Sequence, residues 1–300
     1  MNNHCLPPRV AYTASTFEIP NAACDTHTHV FGPYDQYPLA EGRTYTPTEA
    51  TGDALVAHLD LLGFQRGVAV TGNASGTDNR SLLEALKTHP DRLRGIAVAA
   101  VDTSERDIDL WHQMGVRGLR VNMFRHAGKL LHPNGMTLET LESLAPILRT
   151  YGWHAQVWIH VPDLPEYAPR LRKLGLPLVV DHMGRMSTKQ GLDEPGFQLL
   201  RAMVSEGSAW TKISGADRIS DSGPPYIDVD PFAISLLHAN IERIIWGSDW
   251  PHVKYFKQSE VPDDGELLNL LGRWIADASD RHRVLVDNPS HLYDFPVIKG

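Results

Sequence analysis

Cysteine is nearly missing from this chain: two residues, Cys5 and Cys24, in 300. No disulfide framework can be built on them, and the expected setting is a reducing cytoplasm. Long apolar runs are lacking too. No stretch reaches membrane-spanning length, and the opening Met-Asn-Asn-His-Cys-Leu-Pro-Pro-Arg has no apolar core of leader length. Positive charge is scarce, with 28 Lys and Arg against 36 Asp and Glu and a net charge of −8. That argues against nucleic acid or an anionic membrane as partner. It leaves an anionic small substrate open, because a few arginines can reverse the field inside one pocket. No Gly-x-Gly-x-x-Gly follows the first apolar run, which removes the main support for a dinucleotide-binding sheet.

What is present is the composition of a soluble globular protein, 42% hydrophobic and 21% charged. Residues 1–21 are proline-rich and polar and read as an arm laid over a body spanning 22–300. Short apolar runs then alternate with amphipathic stretches. The runs lie near 22–29, 67–71, 93–101, 116–122, 155–160, 176–182, 209–213 and 244–249. Helical spacing falls between them, at 48–62, 79–88, 105–114, 138–151, 164–174, 196–205 and 231–238, with closing helices at 266–276 and 279–293. The first of these is expected to start at Thr-Pro-Thr-Glu. Gly63, Gly115, Gly152, Gly175 and Gly207 each fall just past an expected helix end. Eight strands alternating with helices imply a parallel sheet, and closing it as a (β/α)8 TIM barrel leaves no exposed edge. An open doubly wound sheet is the rival.

Polar residues at the C-terminal ends of barrel strands are the informative ones. Strand one ends in His27 and His29, with Asp25 on the same face by simple alternation. With 15 histidines, about one such pair is expected at random, so the pair counts only in company. The company is His160 on strand five, Asp181 and His182 on strand six, and Asp249 on strand eight. Arg120 and Asn122 end strand four, and Arg218 follows strand seven. Blander readings stand beside these. His27 and His29 could be bonded core residues, Asp249 a helix cap, Arg120 an ion-paired barrel residue, and Arg125 and His126 solvated loop. Ser75, Thr77 and Asn79 after strand two suit either ligand contact or turn chemistry. His252 is read as a support for Asp249.

Asp-Thr-His-Thr-His at strand one, Val-Val-Asp-His-Met-Gly-Arg at strand six and Trp-Gly-Ser-Asp-Trp-Pro-His at strand eight resemble the amidohydrolase superfamily, and within it the lactonase branch. Gly-Thr-Asp-Asn-Arg at 76–80, Pro-Asp-Leu-Pro-Glu at 162–166, Ala-Asp-Arg at 216–218 and Asp-Asn-Pro at 287–289 fit that branch as well. The resemblance implies catalytic roles for His27, His29, His182 and Asp249, and substrate-carboxylate contacts for Arg120, Arg218 and further Arg125. It implies hydrolysis of a carboxylated lactone from aromatic-acid catabolism, with Asp249 activating water. A sugar-acid lactone isomerase, a muconolactone-type hydrolase and a dicarboxylate-binding barrel without turnover are the alternatives.

Superfamily members generally hold zinc or a similar ion, whereas this branch is held to work without metal. Trp158, inward on strand five, stands where the branch has an aromatic side chain and is assigned to substrate contact with Ser75 and Thr77. No cofactor is therefore expected. The alternative is one divalent zinc held by His27, His29, His160, His182 and Asp249. No strand-four lysine is placed for a bridging carbamate, so two metals are not expected. Oligomeric state is not legible.

Overall fold

The computed structural model describes residues 3–296. Residues 1–2 of the expected arm and 297–300 of the expected body lie outside the described residues. Eight parallel strands form one sheet in chain order: β1 (Cys24–Thr28), β2 (Arg66–Val70), β3 (Leu93–Ala97), β4 (Val116–Asn122), β7 (His154–Trp158), β8 (Leu178–Val180), β9 (Ala209–Lys212) and β10 (Ile244–Ile245). A two-stranded ribbon, β5 (Arg125–His126) with β6 (Lys129–Leu130), rises from the end of β4. Between the strands lie α1 (Gly52–Leu62), α2 (Arg80–Thr88), α3 (Glu105–Gln113), α4 (Leu138–Thr150), α5 (Leu164–Lys173), α6 (Pro195–Ser205), the single turn α7 (Ala216–Ile219) and α8 (Asp230–Ala239). Helices α9 (Asp264–Trp274), α10 (Ala278–His282) and α11 (Asn288–Tyr293) complete the chain. This is the (β/α)8 barrel, and each expected strand exists.

The sheet closes through the backbone. Thr26 N–H donates to the Trp246 carbonyl (3.0 Å), Asp249 N–H to His27 (2.9 Å) and His29 N–H to Trp250 (2.8 Å). Sequence runs 220 residues apart are thereby zipped into one seam.

Inside the barrel, Cys24, Val68, Val70, Ile96, Val179, Trp210 and Ile245 make an apolar layer, plugged from below by Tyr293 and Phe295. Above it the interior turns polar, with Gln156, Asp181 and Lys212 wholly buried. The larger apolar core lies between sheet and helices. Residues 3–21 carry no helix and are tied to Asp263 and α9 by bonds such as Thr13 N–H to Asp263 Oδ1 (3.0 Å) and Thr16 N–H to Asn269 Oδ1 (2.7 Å).

Two local expectations need correction. Helix α1 starts at Gly52 rather than Thr48, because Thr51 is the residue with extended backbone whose hydroxyl accepts from Ala54 N–H. The strand-six run stops at Val180, so Asp181 and His182 belong to the turn that follows. The five helix-end glycines all have positive φ, as at Gly63 (φ 80°), whose N–H closes α1 on Asp60.

The cap assignment gives a direct test. Thr51→Ala should lower unfolding free energy by about 1 kcal/mol in urea titration. Thr48→Ala should change it by less than about 0.5 kcal/mol. The reverse order would restore the longer helix.

Candidate active site

A cavity opens at the C-terminal ends of the strands, lined among others by His29, Arg120, Trp158, His182, Arg185, Arg218, Asp249 and Lys254. The seam sets its floor. Asp249, with φ 71°, is held left-handed by its own N–H on His27 and by His252 N–H on its carbonyl (2.9 Å each). Its two carboxylate oxygens face different ways. Oδ2 accepts from Arg218 Nε (3.3 Å) and Nη2 (3.2 Å). Oδ1 faces three imidazole Nε2 atoms, at 3.4 Å from His29 and 3.7 Å from both His27 and His182. The imidazole groups facing it and the Arg218 guanidinium hold its pKa well below the usual carboxylate value despite burial.

Each imidazole is fixed from behind. His29 Nδ1–H donates to the Val70 carbonyl (2.8 Å). His182 Nδ1 shares a hydrogen bond with Ser214 Oγ (2.9 Å). His27 Nδ1 sits 3.0 Å from Lys212 Nζ. Burial pushes the His182 pKa well down and that of His27 to about 3, so both are neutral at pH 7. His27 Nε2 is buried and has no hydrogen-bond partner.

His182 arrives by an unusual backbone. His182, Met183, Gly184 and Arg185 run consecutively through positive φ (52°, 53°, 81° and 57°). Three non-glycine residues in that region cost about 1–2 kcal/mol each. The turn is crowded as well. A Cβ on Gly184 would come within 2.4 Å of Val161 Cβ, and one on Gly215 within 2.9 Å of His182 Cβ. The strain brings two side chains to the cavity instead of one, His182 and Arg185. Strain of this kind collects where structure serves chemistry.

Below the floor is a charged layer. Asp181, with no exposed surface, faces Lys212 Nζ (3.3 Å) and His27 Nδ1 (3.2 Å) through Oδ1. Its Oδ2 accepts from Arg120 Nε (3.2 Å) and Gln156 Nε2 (3.1 Å). Desolvation works against its charge, but Lys212 and Arg120 outweigh it and hold the pKa well down. Burial lowers Lys212 to about 8.

The expected site residues divide. His27, His29, His182 and Asp249 converge, and Arg120, Arg218 and Trp158 line the cavity, with the Arg120 guanidinium 5.6 Å from the Trp158 ring. Arg218 has a task not foreseen, since its Nε and Nη2 hold Asp249. Arg125 is not part of the cavity lining; it pairs with Asp163 (3.4 Å) and Glu166 (2.5 Å) and lies over Tyr167, because the β5–β6 ribbon carries it outward. His160 leaves the candidate metal set: it caps the turn Val161–Asp163 and packs on Phe124, with centroids 5.5 Å apart. Ser75 ends a tight turn and Thr77 is exposed, while Asn73 from the same loop lines the cavity. Asp25 does not share a face with His27, because the register of β1 shifts between Asp25 and Thr28. It accepts from Ser248 N–H (3.0 Å) and His27 N–H (3.1 Å) instead. His252 reaches Asp249 only through backbone; its Nε2 meets Asp264 Oδ1 (2.6 Å), which raises its pKa against burial.

Sequence reasoning missed Lys212 and Arg185. A lysine inside an apolar strand run was a usable signal. Arg185 stood in the strand-six motif but gave no hint of its turn. Half-buried, with its buried Nη1 lacking a partner, it makes no ion pair among the described residues; desolvation and Arg218 lower its pKa to about 10. For a metal, His27, His29 and Asp249 each offer an atom, all within 4.8 Å of one another.

A family profile described as Amidohydrolase matches residues 24–295. The chain belongs to the amidohydrolase family. It is 37% identical over 292 residues to 4-sulfomuconolactone hydrolase of Rhizobium radiobacter, covering 96% of this chain and 95% of that protein. It is 35% identical over 286 residues to 2-pyrone-4,6-dicarboxylate hydrolase of Comamonas testosteroni, covering 92% of each. Among solved structures, an Acinetobacter baumannii protein crystallised with citric acid superimposes with a TM-score of 0.77 at 25% identity, covering 91% of this chain and all of that one.

Arg185 is left without an anionic partner at the cavity. With inorganic sulfate as an anion probe, Arg185→Met should weaken binding, measured by calorimetry, by about 10- to 100-fold, the loss expected for one charge-assisted bond. Arg125→Met should leave it within about twofold. Equal losses would erase the distinction drawn between the two arginines.

Proposed function

We propose that this protein opens a carboxylated lactone by hydrolysis, with 2-pyrone-4,6-dicarboxylate or a close relative from aromatic-acid breakdown as substrate. The observation that carries the reading is a carboxylate with divided duties. Asp249 is anchored by Arg218 through one oxygen and directed at three imidazoles through the other, under a cavity edged by Arg120, Arg185, Arg218 and Lys254. The names of the two hydrolase relatives, both acting on anionic lactones, support it.

Ring opening needs an activated water and a stabilised carbonyl oxygen. A water held against Asp249 Oδ1 and the imidazoles gives its proton to Asp249 as it attacks the ring carbonyl; the tetrahedral intermediate then breaks the ring C–O bond, and the proton on Asp249 passes to the departing ring oxygen. A neutral imidazole N–H donates to the oxygen on which charge develops. The arginines hold the anionic substituents and fix the ring for attack. Trp158 supplies a flat wall.

The reaction as proposed runs without metal. His27, His29 and Asp249 have the spacing for one ion, but the surroundings are adverse. Four cationic side chains edge the cavity and Lys212 stands directly behind His27. A divalent ion there adds to a field that already suits an anion. A cytoplasmic setting is part of the proposal, supported by two buried free cysteines and by the absence, among the described residues, of any helix long and apolar enough to cross a membrane. So is the absence of nucleic acid as partner, on the net charge of −8.

The test is a lactone panel: 2-pyrone-4,6-dicarboxylate, 4-sulfomuconolactone and a neutral sugar-acid lactone, followed by acid release. Turnover of an anionic lactone, unchanged by chelator, is expected. Asp249→Asn should lower kcat by about 10²–10⁴ with an unaltered fold. Near-normal turnover in that variant, or isomerisation without acid release, would overturn the proposal.

A further inference from the structure

Lys212 is the buried group that the reaction above leaves unused, and its hydrogen bonds decide what His27 can do. A lysine ammonium has three N–H donors and no acceptor. Lys212 Nζ has three acceptors in bonding geometry: the Thr26 carbonyl (2.9 Å), Gln156 Oε1 (2.9 Å) and His27 Nδ1 (3.0 Å). The first accepts only. The second is fixed as an oxygen because the other end of the same amide donates to Asp181 Oδ2 (3.1 Å). The rival partner for His27 Nδ1 is Asp181 Oδ1 at 3.2 Å, but that oxygen is without a partner in hydrogen-bond geometry. His27 Nδ1 is therefore an acceptor, and a neutral imidazole that accepts at Nδ1 carries its proton on Nε2.

We infer that Lys212 is a positioning residue that locks His27 in the Nε2–H tautomer, making its cavity-facing nitrogen a hydrogen-bond donor and denying it to a metal ion. A metal ligand needs the lone pair that this proton occupies. His29 is the contrast within the same strand. Its Nδ1–H is on the Val70 carbonyl, the arrangement that leaves Nε2 free to ligate. Two of the three donors thus suit an ion by direction, Asp249 and His29, and the third does not. The unpartnered His27 Nε2, 3.7 Å from Asp249 Oδ1, becomes an N–H awaiting an oxygen. This rests on the metal-independent reading above, yet is measured on the free enzyme, so failure of either is seen separately.

The experiment reads the tautomer directly. In histidine-selectively ¹⁵N-labelled full-length protein, long-range ¹H–¹⁵N spectra, with His27 assigned by His27→Gln, should show its proton on Nε2. A proton on Nδ1, or on both nitrogens, overturns the inference. In Lys212→Met the proton should move to Nδ1, now able to donate to Asp181. Zinc chloride titrated calorimetrically should then bind at least about tenfold more tightly than to wild type. Equal zinc affinity in a folded variant also overturns it. Should Asp181 without its lysine prevent folding, Lys212→Met with Asp181→Asn keeps an oxygen acceptor for Nδ1–H and removes the stranded charge, and the same zinc result is expected. A merely structural lysine would shift stability in these variants and leave the tautomer and the zinc affinity alone.

Discussion

The seam between β1 and residues 246–250 is the constraint on which the site depends. Thr26 takes the Trp246 carbonyl through both N–H and hydroxyl, Ser248 N–H ends on Asp25, Asp249 N–H on His27, and His29 N–H on Trp250. Backbone bonds set the Cα of Asp249 against those of His27 and His29 before any side chain attracts another. A carboxylate and imidazoles placed only by mutual charge would adjust to whatever entered the cavity. Held from the main chain, they keep their separation. The left-handed backbone of Asp249 is tolerable because bonds on both sides of the residue specify it.

The second constraint is the charge layering beneath. Burying Asp181 alone would cost several kcal/mol, and Lys212 and Arg120 on its two oxygens offset that. Asp249 is treated the same way by Arg218, which is itself shared with Asp217 (3.2 Å) and lies over Tyr255. Once these pairings are made, Arg185 and Lys254 remain at the cavity with no carboxylate in ion-pair reach among the described residues. The protein as a whole is acidic, and the cavity is the place where that sign is inverted. Those two cations are the pairing that the fold leaves open.

Much of this was legible in the sequence, and the rest failed for identifiable reasons. Periodicity located the eight strands because apolar interiors of parallel sheets leave continuous runs. Strand-end reasoning found His27, His29, His182 and Asp249 because polar residues are conspicuous there. It failed at His160 and Arg125, where a tight turn and a short ribbon redirect the chain after the strand has ended. It failed at Asp25 because one register shift exchanges the faces of a strand. Simple alternation from Cys24, which lies in the interior apolar layer, would have sent His27 and His29 outward, so the shift that misleads about Asp25 is also what turns the histidines inward. Arg185 was hidden by the left-handed turn that delivers it to the cavity.

Two histidines spaced by one residue are often taken as a ligand pair, and here they show why the spacing is not enough. What an imidazole presents to a cavity is decided on its far side. A carbonyl behind His29 takes a proton and leaves a lone pair in front. An ammonium behind His27 gives a proton and leaves an N–H in front. Side by side, with ring centroids 5.1 Å apart, the two rings offer opposite chemistry to whatever lies between them. That asymmetry suits a water and a carbonyl oxygen better than one cation. The water needs an acceptor for its proton, and the carbonyl oxygen needs a donor as its charge grows.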